Sequence, residues 1–125
     1  MEDFVPYKLA KKLNEKGFTL PKSNIIGKFD SDGVFHSQLY INFTETMDSE
    51  EIIAPTISQV LKWLREEKRI EVNACWDNID AQWIGYATEM DKPDLVGYYT
   101  SPNNNDTYEK AALAGIEYVL DNNLI

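Results

Sequence analysis

Between Tyr108 and Leu120, apolar and small residues occupy so much of the helical circumference that the segment must be covered on more than one side. Tyr108, Ala111, Ala112, Gly115, Ile116, Val119 and Leu120 span well over half of the wheel, and Lys110, Glu117 and Asp121 form a narrow polar stripe. Asp106 and Glu109 stand at capping-box spacing, so the helix is predicted to open there and to run to about Asp121. Its small residues permit close approach to a sheet. A helix of this kind belongs at the centre of a layered fold.

The segment from Ala54 to Val72 supplies the next constraint. Thr56 and Gln59 form a second capping-box pair; Ile57, Val60, Leu61 and Leu64 then repeat at helical period. Lys62, Arg65, Lys68 and Arg69 favour the carboxyl end through the helix dipole. At Ile70 the period changes to two, and Ile70, Val72, Ala74 and Trp76 predict one face of a strand. Asp77-Asn78-Ile79-Asp80 turns the chain into Gln82–Thr88, and Leu95–Tyr99 reads as a shorter fifth strand.

Upstream, Pro6 to Lys16 predicts a first helix with Pro at its start and Gly17 as a left-handed stop. Leu9, Ala10 and Leu13 share one side, and Lys8, Lys12 and Lys16 line another. Asn24–Phe29 and Val34–Phe43 flank Asp30-Ser31-Asp32-Gly33, which predicts a hairpin; Phe43 to Ile53 reads as an acidic connection. Ser101–Asn105 reads as a loop. The order α-β-β-α-β-β-(β)-α predicts a single α+β domain over residues 1–125: an antiparallel sheet of four or five strands with three helices on one face.

No apolar run approaches the roughly 20 residues of a membrane span, and the first residues lack the basic and apolar regions of a signal peptide. Cys75 is the single cysteine, so neither an internal disulfide nor a thiolate zinc cage can form. A cytoplasmic protein is expected, and the acceptor patterns at Asn42 and Asn105 then carry no meaning. The net charge of −9 is unevenly placed: residues 70–125 hold only Lys92 and Lys110 against ten carboxylates. Such a field repels polyanions at long range.

Phe4-Val5-Pro6-Tyr7 with Glu15-Lys16-Gly17-Phe18, Ala54–Val60 with Trp63-Leu64-Arg65-Glu66, and Tyr108–Ala111 with Ala114-Gly115-Ile116 occur in fixed order along nearly the whole chain. In these motifs the sequence resembles a family of small uncharacterised proteins carried by phages and integrated mobile elements of gut-type anaerobic bacteria, of the Bacteroidetes kind. The resemblance implies a mobile-element origin and a bacterial cytoplasm, and it assigns no reaction, cofactor or partner.

No reactive constellation is assembled by spacing. His36 is the lone histidine, in a strand, without a second imidazole or thiol to share a metal. Asp30-Ser31-Asp32-Gly33 opens like a calcium loop, but Val34 takes the fifth position where an oxygen ligand is needed. Glu50-Glu51, Glu66-Glu67 and Asp77/Asp80 are paired carboxylates of the solvated kind, and Cys75 has no neighbouring cation to activate it. The six glycines are scattered and make no phosphate loop. The chain therefore reads as a non-enzymatic protein with no catalytic, cofactor-binding or metal-binding residue.

Two surfaces remain. Strand alternation places some of Trp76, Trp83, Tyr98 and Tyr99 on the sheet face opposite the helices, with Trp63 at the edge of its helix's apolar arc. These five are the candidate protein-binding residues, for an unidentified partner or a second copy of the chain. The alternative is nucleic-acid binding through Lys8, Lys12, Lys16, Lys62 and Arg65, with Trp63 as a stacking surface.

Overall fold

The computed structural model describes residues 4–21, 25–37, 50–92, 98–99 and 107–125, with side chains for all of these except Tyr98 and Tyr99. Strand positions expected at 38–43 and 95–97, the connection over 43–49, the loop at 101–105 and the Asp106 cap lie outside them. The chain divides into two compact units, Met1–Thr56 and Ile57–Ile125.

In the first unit α1 (Tyr7–Glu15) is preceded by Pro6 and followed by Lys16. Gly17, at φ +88°, adopts the left-handed conformation that lets the chain leave the helix, and its N–H reaches the Asn14 carbonyl at 3.1 Å. Leu9, Ala10 and Leu13 are buried. The hairpin forms: β1 (Gly27–Phe29) pairs antiparallel with β2 (Phe35–Ser37), Phe29 opposite Phe35. Asp30 organises the turn by accepting the N–H groups of Asp32 and Val34 at 2.9 and 3.0 Å. A strand absent from the sequence reading, β3 (Ile52–Ile53), pairs with the other edge of β1. Two residues carry no detectable period, so only the partner strand reveals it.

The second unit begins with α2 (Ile57–Glu67), directly after Thr56 as the capping spacing requires. Ile57, Val60, Trp63 and Leu64 are its buried residues, while Leu61 is only partly covered, so the apolar arc is rotated towards Trp63. Arg69, at φ +57°, reverses the chain into β4 (Ile70–Asp77). β4 pairs in full antiparallel register with β5 (Gln82–Glu89), from Ile70 opposite Glu89 to Asp77 opposite Gln82. β6 (Tyr98–Tyr99) adds to the far side of β5, Tyr86 opposite Tyr99.

Helix α3 (Tyr108–Asp121) closes the chain. Its N-cap is Thr107, whose hydroxyl accepts the Lys110 N–H at 3.1 Å, so the cap sits one residue later than the Asp106/Glu109 spacing suggests. Ala111, Ala112, Gly115, Ile116, Val119 and Leu120 are buried against β4, β5 and α2. The expected core helix is therefore present.

Among the described residues the fold is α+β with three helices, but the strands do not form the single four- or five-stranded sheet expected. They form two three-stranded antiparallel sheets, in the orders β2-β1-β3 and β4-β5-β6. Hydrophobic alternation fixes which residues share a face and carries no information on which strands become neighbours.

Candidate functional site

In β4 and β5 one face carries Ile70, Val72, Ala74 and Trp76 opposite Glu89, Ala87, Gly85 and Trp83. α3 lies on this face. At Gly85 the helix backbone comes so close that a Cβ would overlap the Ala111 carbonyl oxygen, and a Cβ at Gly115 would sit 2.7 Å from Val72 Cγ1. The helix cover stops at its first residue. There the Tyr108 ring meets Trp83 edge-on, centroids 5.5 Å apart at 85°, and Trp83 in turn meets Trp76 at 5.5 Å and 70°. The three rings form a ladder exposed at both ends, Tyr108 at 36% and Trp76 at 49%, with Trp83 half-buried between them.

Beyond them the loop 78–81 joins the strands. Asp77 Oδ1 accepts the Ile79 N–H at 2.9 Å, and Ala81 takes φ +50° to bring the chain back. Ile79 projects from this turn and is 92% exposed. Paired residues in this hairpin have numbers that sum to a constant, and Trp76 and Trp83 satisfy it, so centring the turn on Asp77–Gln82 would have found the pair from sequence. Ile79 and Tyr108 were not among the expected site residues. Nothing local distinguishes Tyr108 from its buried neighbours on α3.

Among the described residues β4 is an edge strand of its sheet. Met90 N–H bonds to the Arg69 carbonyl, and the register then turns the backbone groups of Ala74 away from β5. Asn73 Oδ1 accepts that Ala74 N–H at 2.8 Å and also the Tyr108 hydroxyl at 3.0 Å. One side chain therefore blunts the edge and ties the start of α3 to the strand.

Charge is graded along the hairpin. Residues 70–89 contain Glu71, Asp77, Asp80 and Glu89 and no lysine or arginine. At the end away from the turn, Arg69 holds Asp91 at 3.2 Å, and Lys92 holds Glu89 at 2.8 Å. Eight residues of strand, about 25 Å, separate that end from Asp77 and Gln82. The turn beside the aromatic pair carries Asp80, with Glu109 and Lys110 on the first turn of α3, while Asp77 points to the face opposite Trp76.

The expected protein-binding set is rearranged. Trp76 and Trp83 come together, on the helix-bearing face and not on the opposite one, because α3 is too short to cover them. Trp63 is only 7% exposed, with the Lys68 ammonium 5.3 Å from its ring centroid, so it offers no docking or stacking surface. Tyr98 and Tyr99 lie on β6, and their side chains are outside the description.

The basic candidates are also divided. Lys8 and Lys12 lie on α1 and Lys16 directly follows it, in the first unit, and Lys62 and Arg65 lie on α2 in the second. Lys12 and Lys16 are half-buried and engaged in interactions of their own, and exposed Glu66 and Glu67 follow Arg65 directly.

His36 Nε2 lies 2.9 Å from Asp30 Oδ2. That hydrogen bond, with the N–H groups of Val34 and Asp32, holds the Asp30 carboxyl below its ordinary value. The carboxylate serves the turn first, through the Asp32 and Val34 N–H groups. No group of three or more metal-ligating side chains occurs among the described residues.

No protein-family model matches this chain, and no match is found among curated proteins or solved structures. No helix among the described residues is long and apolar enough to cross a membrane.

Proposed function

We propose that this chain is a non-enzymatic accessory protein of a phage or integrated mobile element, working in the bacterial cytoplasm by protein–protein contact through the Trp76–Trp83–Tyr108 ladder and Ile79. The sequence resemblance motivates the origin. The observation that carries the mode of action is the half-exposed Trp76 stacked edge-on against a second indole. Tryptophan and tyrosine dominate binding hot spots because a large rigid ring loses little entropy on docking. Covering the exposed half of Trp76, roughly 100 Å² of apolar surface, would contribute about 2.5 kcal/mol to association.

The reading is tested by affinity capture from host-cell extract with the intact chain and with the Trp76→Ala/Ile79→Ser variant, both checked for folding by circular dichroism. A partner retained by the native chain and lost with the variant is expected. An identical captured set from both chains would refute it.

A further inference from the structure

We draw no further inference here: the strongest candidate, the exposed aromatic patch of Trp76, Trp83 and Tyr108 with Ile79 at the turn end of the β4–β5 hairpin, belongs to the site already described, and nothing in the structure shows what covers it.

Discussion

Replacing Gly85 with alanine tests whether α3 and β5 meet backbone to backbone. The added methyl group would overlap the Ala111 carbonyl oxygen and stand 3.0 Å from its carbonyl carbon and 3.3 Å from Gly115 N, all main-chain atoms that no rotamer change can move. The helix would have to retreat by about 1 Å, which forfeits a quarter to a half of each contact it makes with the sheet. Overpacking of this kind costs about 1–3 kcal/mol, and the rigid neighbours put this case at the upper end. Alanine returns roughly 0.5–1 kcal/mol through its lower chain entropy in a strand. The net loss is about 2 kcal/mol, a large part of the ~5–15 kcal/mol that holds an ordinary domain together.

Urea denaturation followed by circular dichroism and tryptophan fluorescence measures this loss. Gly115→Ala is the internal control. Its methyl group meets a side-chain atom, Val72 Cγ1, at 2.7 Å, and alanine in a helix interior gains about 1 kcal/mol over glycine. The two terms should nearly cancel. In a Val72→Ala background, where that atom is gone, Gly115→Ala should stabilise by about 1 kcal/mol. Ala111→Gly should not rescue Gly85→Ala, because the opposing atoms belong to the backbone. A Gly85→Ala protein as stable as the native chain would refute the close approach.

Further outcomes follow from individual contacts. Leu64→Ala removes a fully buried side chain from α2 and should cost about 2–5 kcal/mol in the same denaturation assay. Thr107→Ala removes the hydroxyl that accepts the Lys110 N–H, and should cost about 1 kcal/mol with fraying of the start of α3 in hydrogen exchange. Asn73→Ala leaves both the Ala74 N–H and the Tyr108 hydroxyl without their shared acceptor, so it should destabilise more than Tyr108→Phe, which leaves the Ala74 bond intact. Asp30 should titrate below 3.8 by carbon-detected NMR, and His36→Ala should raise its midpoint, since the His36 hydrogen bond is the largest cause of the lowering. A carboxyl depressed in the folded state contributes stability above its unfolded value, and that contribution disappears as pH falls through the folded midpoint.

The sequence by itself determined the helices and the long hairpin, because their signals are local. Gly17 stops α1, Thr56 precedes α2, Ile70 marks the change of period, and the small apolar residues of α3 demand burial wherever the helix ends up. Tertiary structure decided what depends on partners distant in sequence. The strands divide into two sheets because Ile52 and Ile53 find β1, and β6 finds β5, through backbone bonds that residue types do not encode. The same holds for the candidate site. Trp63, Trp76 and Trp83 are chemically alike in the sequence, yet the rotation of α2 buries the first. The register of β4 and β5 stacks the other two, and the length of α3 leaves Trp76 in water. Exposure belongs to the packed arrangement, since it is set by where the neighbouring elements stop.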